Sequence, residues 1–441
     1  MTSVRAIAEA CKRASRDLAS SSPEQRIESI CLAAEHIEQG HSSLLEANAH
    51  DLADSGQMLE SGEISAATLE RLRLTDKKLA EMTRSMRAVA ELPDPVGRVL
   101  QRTELDANLV LEKVTCPLGV LAVIFEARPD AVTQISALGL KSANAVILKA
   151  GREVERTASA LVKIIRLALK HTGLPEASLS LVTGRESVQQ LLGMSGLIDM
   201  VIPRGSKQLV EFVQANTRIP VLGHAEGVCH IYVDAAADPV MALAIIDDSK
   251  TDYPAACNAA ETVLVHEQIA ESFLPRLAER LGSRGVAIRG CPKTRSLVAG
   301  LPVEAVADDD WNTEYSDLVL AVRIVNSMDE AIEHIHAHGS SHTETIVTED
   351  SLAAERFLGR VDAAGVFHNA STRFADGYRY GFGAEVGIST SKLHARGPVG
   401  LDGLTTYKYV LRGGGQVARD YQGPNARPFT HKRLPIDSSH N

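Results

Sequence analysis

The sequence predicts an α/β protein with a doubly wound, mostly parallel sheet, and three observations predict it. Short apolar runs such as PLGVLAVIF and AVILK have the texture of buried strands, and helical stretches separate them. The alternation of strand and helix sets in near residue 117 and restarts past residue 240, outlining two α/β domains. At 441 residues the chain is too long for one compact core, which fits two or three domains.

The first hundred residues read as helices. Ser22-Pro23-Glu24-Gln25 is a start signal, with a Ser cap, Pro at the first helical position and Gln three residues after the cap. Ile27, Ile30, Ala34 and Ile37 then share one helical face, and Gly40 supplies the stop. A further helix runs roughly from Lys77 to Leu92 and ends at the Pro93/Pro95 pair. TELDANLVLEKVTC alternates apolar and polar residues like a half-solvated antiparallel strand, whereas PLGVLAVIF is apolar almost throughout. ALGLKSANAVILKA reads as a helix end, a turn at Ser142-Ala143-Asn144 and the buried strand AVILK. The helix GREVERTASALVKIIRLALKHTG stops at Gly173, the strands SLSLVTG and LIDMVIP follow, and GSKQLVEFVQAN opens another helix. The second domain runs through a helix ending at Asp252, the strand ETVLVH, a helix to about Leu281 and further strands to VFHN. From about residue 403 the strand LTTYKYVLRG leads into a Gly-rich, Pro-containing end, and no internal repeat stands out.

Composition narrows the function. Hydrophobic residues at 44% and charged residues at 23% are the balance of a soluble globular protein. Aromatics at 4% with one Trp offer no stacking platform for single-stranded nucleic acid. A net charge of −10 and a pI near 5.9 argue against a nucleic-acid or acidic-membrane surface. An anionic ligand must therefore meet a local basic pocket or helix N-termini. No apolar signal core follows the first Arg, and no stretch approaches the roughly 20 apolar residues of a membrane span. The six cysteines show no CxxC and no paired spacing, which speaks against a zinc ribbon or a disulfide framework and for a reducing, cytoplasmic setting.

Four segments carry candidate chemistry. Cys257, in DYPAACNAAETVLVH, lies in a small-residue loop between a helix and a buried strand, where following backbone N–H groups could steady an oxyanion. The plain alternative is a small buried hydrophobe, the reading that stands for Cys11, Cys31, Cys116 and Cys229. In AVILKAGRE, Lys149 ends a buried parallel strand, pointing into the crevice where open α/β sheets bind ligands, and Arg152 adds a second cation. These could be a solvated pair, yet cations at a helix N-terminus oppose its dipole, and an anionic ligand would compensate them. Gly205-Ser206 in IPRGSKQLV opens a helix directly after a strand, a phosphate-accepting geometry. His334, His338 and His342 are spaced by four, but Gly339 ends the helix and takes His342 off that face, so no metal is expected.

The segments ANAHDLADS, ELPDPVG, PLGVLAVIFEARPDAV, LKSANAVILKAG, IPRGS, YPAACNAAETVLVH and STRFADGYRYGFGAEVGISTSKLHARGPVGLDGLTTYKY closely resemble the γ-glutamyl phosphate reductase family of the aldehyde dehydrogenase superfamily, over nearly the whole chain. The resemblance implies that Cys257 is the nucleophile. It matches Lys149 to the lysine that contacts the adenine ribose, and Gly205 and Ser206 to the helix start beside the pyrophosphate. Glu314, in TEYSDLVLAV, matches the Glu that holds the nicotinamide ribose. Arg152 falls where NAD-preferring relatives often place a Glu against the ribose 2′-hydroxyl; a cation suits a 2′-phosphate, so NADP(H) is implied. Two departures from the superfamily matter. Hydrolytic members carry a base glutamate before a Gly-Gly pair, where VLGHAEGVCHIYVD has Gly223 near that position and Glu226 three residues along. The usual oxyanion Asn falls at Arg128, so Arg128 or Asn258 would complete that hole.

The implied architecture has an NADP-binding domain over residues 1–103 and 117–238 and a catalytic domain over 239–385. A β oligomerisation arm would comprise 104–116 and 403–420, pairing the strands near 104–116 and 404–412 in a homodimer or dimer-based tetramer. The implied reaction reduces a small-molecule substrate, L-glutamyl 5-phosphate, to L-glutamate 5-semialdehyde through a Cys257 thioester, in proline synthesis. Arg373, Lys392 and Arg396 are candidates for the substrate's carboxylate or phosphate, on charge and resemblance. A glutamate kinase is a candidate partner, and this chain carries no kinase domain. An acyl-CoA or aspartyl phosphate reductase would keep the class and change the substrate, against which STRFADG and GISTSKLHARGP speak. A non-enzymatic scaffold would need neither Cys257, Lys149 nor Glu314.

Overall fold

In the computed structural model, which describes residues 3–436, the chain forms two compact units, residues 3–222, 382–387 and 399–436 in the first and 223–381 with 388–398 in the second. The first unit opens on helices, as expected. Ser22 Oγ accepts from the Gln25 N–H at 3.2 Å while Gln25 Oε1 accepts from the Ser22 N–H at 3.3 Å, so the expected box caps the helix Pro23–Gln39. Ile30, Ala34 and Ile37 are buried, and the helix packs on Asp76–Glu91 and Glu155–His171. Gly40 ends it, though not by a left-handed stop. Its φ is −83°, and the chain passes straight into the helix His41–Glu60. Glycine is there for space, since a Cβ would stand 3.0 Å from Ile164 Cδ1.

The first unit then forms strands β1 (Val99–Asp106), β2 (Leu109–Pro117), β3 (Val120–Phe125), β4 (Ala145–Ala150), β5 (Leu179–Val182) and β6 (Met200–Arg204). The segment TELDANLVLEKVTC, expected as one strand, is a hairpin instead. β1 and β2 turn on each other at Ala107-Asn108, and Asn108 takes φ 59°, a conformation Asn tolerates better than most residues. Strands β3 to β6 make a parallel sheet in the order β5-β4-β3-β6. β3 and β4 are buried at every residue, which is why they read as continuous apolar runs. The chain moves from β3 outward to β5 and then returns to the other side of β3. That reversal opens a crevice beyond the C-terminal ends of β3 and β6. The expected turn before β4 is present, with Ala143 at φ 56° and Asn144 bonded to the Gly119 N–H and the Leu404 carbonyl, each at 2.8 Å.

The second unit carries β7 (Cys229–Val233), β8 (Ala260–His266), β9 (Ala287–Gly290), β10 (Val303–Ala305), β11 (Val319–Val325), β12 (Thr343–Val347) and β13 (Gly365–His368), with a small ladder β14 (Ile388–Ser389) and β15 (Gly397–Pro398). The seven pair in parallel in the order β10-β9-β11-β8-β7-β12-β13, around a core that includes Ile231, Val263, Phe273 and Val322. This corrects the expected boundary at 238. β7 pairs with β8 and β12, so residues 223–238 belong to the second unit, and 388–398 return to it beyond the expected end at 385. In the first unit, β16 (Thr405–Arg412) pairs antiparallel with β2 from Thr405↔Pro117 to Arg412↔Val110, and β17 (Lys432–Leu434) adds to β1. No helix among the described residues is long and apolar enough to cross a membrane.

Candidate active site

On the first unit the expected cofactor residues gather at the C-terminal ends of the parallel strands. Lys149 is the penultimate residue of β4, 8% exposed, with Nζ donating to the Ala150 carbonyl at 2.5 Å. Burial pulls its pKa below the ordinary lysine value, while Glu155, Glu153 and Glu126 push it back up. Arg152 opens the short turn Arg152–Val154 and reaches Glu63 at 2.7 Å. Both side chains are exposed, so the pair is weak and a ligand anion can displace the carboxylate.

The helix Lys207–Ala215 begins at Ser206, whose Oγ accepts from the Leu209 N–H at 3.4 Å. Its N-terminus already meets a carboxylate of the protein, because Ser206 N–H donates to Glu126 Oε2 at 2.9 Å. A Cβ at Gly205 would overlap that carboxylate, so glycine is what lets Glu126 approach. Glu126 follows β3 and its N–H donates to the Arg204 carbonyl at 3.1 Å, closing the switch-point crevice between β3 and β6. Glu153 acts in the same way on the next loop, accepting from the Ala127 N–H at 2.7 Å. Arg128, exposed, occupies the N-cap position of the helix Pro129–Lys141 without a side-chain capping bond.

On the second unit Cys257 occupies the short loop between the helix Pro239–Thr251 and β8. The loop is tight, with Ala256 N–H donating to the Tyr253 carbonyl at 3.1 Å and Ala259 N–H to the Ala256 carbonyl at 2.9 Å. Cys257 is half-buried. Behind it lies Gly227, where any Cβ would overlap the Cys257 carbonyl. Gly227 N–H donates to Glu314 Oε2 at 3.0 Å, so the carboxylate expected to hold the nicotinamide ribose is fastened to the backing of the thiol loop. Next to Glu314, Ser316 N–H reaches Glu261 Oε1 at 3.4 Å, and Glu261 is paired with Lys250 at 2.6 Å, both fully buried. Burial pushes the Glu261 carboxyl up to about 7 against the pull of Lys250.

Two sets of candidate residues are engaged with partners within the protein. The Asn258 side chain, a candidate oxyanion donor, is 4% exposed and donates to the Ala375 carbonyl at 2.9 Å and the Arg373 carbonyl at 3.5 Å, while its Oδ1 accepts from Arg373. Its amide hydrogens are committed to structure, because a buried amide takes the nearest carbonyls. Arg373 is likewise engaged, holding Asp252 at 3.0 Å beside Arg379, and the two guanidiniums keep the Asp252 carboxyl below the usual range. Lys392 and Arg396 meet on a different carboxylate, Asp362, at 2.5 and 2.7 Å. The three cations therefore do not form one cluster in the described contacts; they stand on two separate carboxylates.

The histidines also separate. His334 and His338 share the helix Met328–His338, which Gly339 ends as expected. Their ring centroids lie 4.5 Å apart, and Trp311 and His230 edge onto His334 at 5.1 and 5.5 Å. His342 leaves this stack and meets His224 at 5.1 Å between centroids. His224, Cys257 and His342 each offer a ligand atom, all within 4.8 Å of one another. Sequence spacing could not reveal this trio. Each member directly precedes or closely approaches one of β7, β8 and β12, and those strands are neighbours in the sheet. Glu126 and Gly227 were also missed, since their roles exist only across strands.

A model of the aldehyde dehydrogenase family matches residues 1–286. The γ-glutamyl phosphate reductase of a Synechococcus species is 56% identical over 390 residues, covering 88% of this chain and 85% of that protein. That of Natronomonas pharaonis is 50% identical over 426 residues, covering 97% of each. The crystal structure of γ-glutamyl phosphate reductase from Thermotoga maritima superposes with a TM-score of 0.90 at 40% identity, over 94% of this chain and 99% of that one. The chain belongs to the aldehyde dehydrogenase family and, within it, to the γ-glutamyl phosphate reductases. It is an oxidoreductase acting on a small molecule with a nicotinamide cofactor.

Proposed function

We propose that the chain reduces L-glutamyl 5-phosphate to L-glutamate 5-semialdehyde with NADPH, releasing phosphate, as a step of proline synthesis. The observation that carries this reading is Cys257, a half-buried thiol on a loop clamped from behind by Gly227, in a chain 56% identical to a γ-glutamyl phosphate reductase.

The Cys257 thiolate attacks the acyl carbon, the bond from that carbon to the phosphate oxygen breaks, and phosphate leaves a thioester behind. Bound NADPH supplies the hydride that reduces the thioester. The resulting thiohemiacetal collapses as its hydroxyl loses a proton and the carbon–sulfur bond breaks, returning the thiol and releasing the aldehyde. Since the Asn258 side-chain amide is committed elsewhere and the Ala259 N–H is held by the Ala256 carbonyl, the backbone N–H of Asn258 is the donor this reading assigns to the oxyanion, with Arg128 as the side-chain candidate. Lys149 and Arg152 fit the adenosine ribose and its 2′-phosphate: Lys149 closes β4 with only a backbone carbonyl as its hydrogen-bond acceptor, and Arg152 holds a carboxylate that a phosphate can replace. Gly205 and Ser206 would receive the pyrophosphate once the exposed Glu126 carboxylate turns aside. Glu314 keeps one oxygen on Gly227 and offers the other to the nicotinamide ribose.

Of the substrate cations, Lys392 is 68% exposed, so its bond to Asp362 is the one most readily exchanged for a substrate anion. Arg396 would act beside it, and Arg373 shapes the loop. β16 is an edge strand with Tyr407, Tyr409 and Leu411 exposed, which supports a homo-oligomer joined through this arm.

The reading is tested by following nicotinamide reduction with purified protein, phosphate and either glutamate semialdehyde or aspartate semialdehyde, and with coenzyme A in place of phosphate. Glutamate semialdehyde with phosphate and NADP⁺ should exceed every other combination by roughly 100-fold. Equal or better turnover with aspartate semialdehyde or coenzyme A would replace the substrate and keep the class.

A further inference from the structure

We propose that His224, Cys257 and His342 form a binding site for one soft divalent cation, of which zinc is the prime example, and that the bound cation masks the nucleophile.

Three observations converge. The ligand atoms of the trio all lie within 4.8 Å of one another, on segments that lead into the neighbouring strands β7, β8 and β12. The His224 Nδ1 is held by the Ile388 carbonyl at 3.0 Å and the His342 Nδ1 by Thr343 Oγ1 at 2.8 Å, which leaves Nε2 on each ring for a ligand. Imidazoles that bind metals are commonly oriented this way, with the other ring nitrogen bonded to a carbonyl or a neighbouring side chain. Independently, His342 is 1% exposed and its Nε2 is buried without a hydrogen-bond partner. In the tautomer whose Nδ1–H donates to Thr343, that Nε2 presents a lone pair which a cation would satisfy.

One thiolate and two imidazoles select zinc, cobalt or copper and discriminate against magnesium and calcium, which prefer oxygen. Bonds of about 2.0–2.3 Å would require the ligands to draw in from their present spread, through small side-chain rotations of Cys257 and of the two histidines. Cys229 is near, 3.8 Å from His342 Nδ1, but its buried thiol is already engaged with the Cys257 carbonyl at 3.4 Å, so the fourth position falls to water. A thiolate bound to the cation gives up electron density and is crowded by the cation's other ligands, which makes it a far weaker nucleophile toward an acyl carbon. Metal and thioester therefore exclude each other.

The test uses the full chain, stripped with a chelator under reducing conditions and titrated with Co²⁺. One equivalent should bind per chain, with a thiolate-to-cobalt band in the near ultraviolet and tetrahedral bands in the visible. Zn²⁺ should displace it and shield Cys257 from iodoacetamide, and Mg²⁺ should do neither. Cys257→Ser should remove the near-ultraviolet band, and His342→Gln should weaken binding at least about tenfold. His224→Gln, at a half-buried position, should weaken it likewise and guards against a folding defect at His342. No bound cobalt, or a band that survives Cys257→Ser and both histidine changes, would overturn the proposal. Because the readout is spectroscopic, it holds whichever acyl donor the chain uses.

Discussion

Three contacts fix the backbone around Cys257 without using its sulfur: Gly227 against its carbonyl, the Cys229 thiol on the same carbonyl, and the Asn258 amide on Ala375. Cys257→Ala should therefore lower turnover by roughly four orders of magnitude or more while leaving thermal stability within about 1 kcal/mol and cofactor affinity nearly unchanged. Near-normal turnover in that variant would remove the covalent mechanism. Arg152→Glu tests the cofactor reading at the same scale. A carboxylate repels a 2′-phosphate and accepts a bond from a 2′-hydroxyl, so the ratio of kcat/KM with NADPH to that with NADH should fall by on the order of tenfold or more. An unchanged ratio would move the 2′-phosphate to Lys149 or another cation. Cys257, Lys149, Arg152 and Gly205 could be singled out from sequence because each stands next to an apolar run that announces a strand. Glu126 and Gly227 could not, since one caps a helix after a different strand and the other matters only for the backbone it presses against. Asn258 shows a related limit: its place beside the thiol was legible, but the carbonyls its amide donates to come from residues 373 and 375.

Among the elements, strands buried on both faces were the most legible, because β3, β4 and β8 have no solvent face to interrupt the apolar run. The β1–β2 hairpin was not, since Ala107-Asn108 lacks the glycine that usually marks such a turn and the polar alternation runs through it. The helix Met328–His338 yields a pH prediction. Burial depresses the His334 pKa to about 2, and its Nδ1 accepts from Arg323 at 3.0 Å. In the unfolded chain the same ring titrates near 6.5, so above that pH it costs nothing. As pH falls below 6.5 the unfolded chain takes up a proton that the folded chain refuses, and stability declines. Between pH 7 and pH 5 this amounts to about 2 kcal/mol. Denaturant midpoints at the two pH values should show the loss, and His334→Gln should flatten it. A wild-type midpoint that is equal at both values would mean that the ring protonates in place.

At the scale of the molecule, the two α/β units could be anticipated from the restart of the strand–helix alternation, although their boundary could not. Residues 223–238 follow β6 in the chain yet supply β7, and nothing local tells a strand which of two parallel sheets it will join. The chemistry is divided in the same way, with Lys149, Arg152, Gly205 and Ser206 on the first unit and Cys257 and Glu314 on the second. What the whole chain is proposed to do is resolve its thioester with phosphate in place of water, in keeping with a sequence in which no glutamate matches the hydrolytic base of the wider superfamily. The most direct measurement is NADPH formation from glutamate semialdehyde and NADP⁺, with phosphate, with arsenate and with neither. Turnover should be sustained with phosphate or arsenate, arsenate pulling the reaction forward through its unstable product, and should stop after about one equivalent per active site without them. Steady NADPH formation in buffer free of both, with release of free glutamate, would contradict the mechanism and point to a carboxylate such as Glu226 acting as a base.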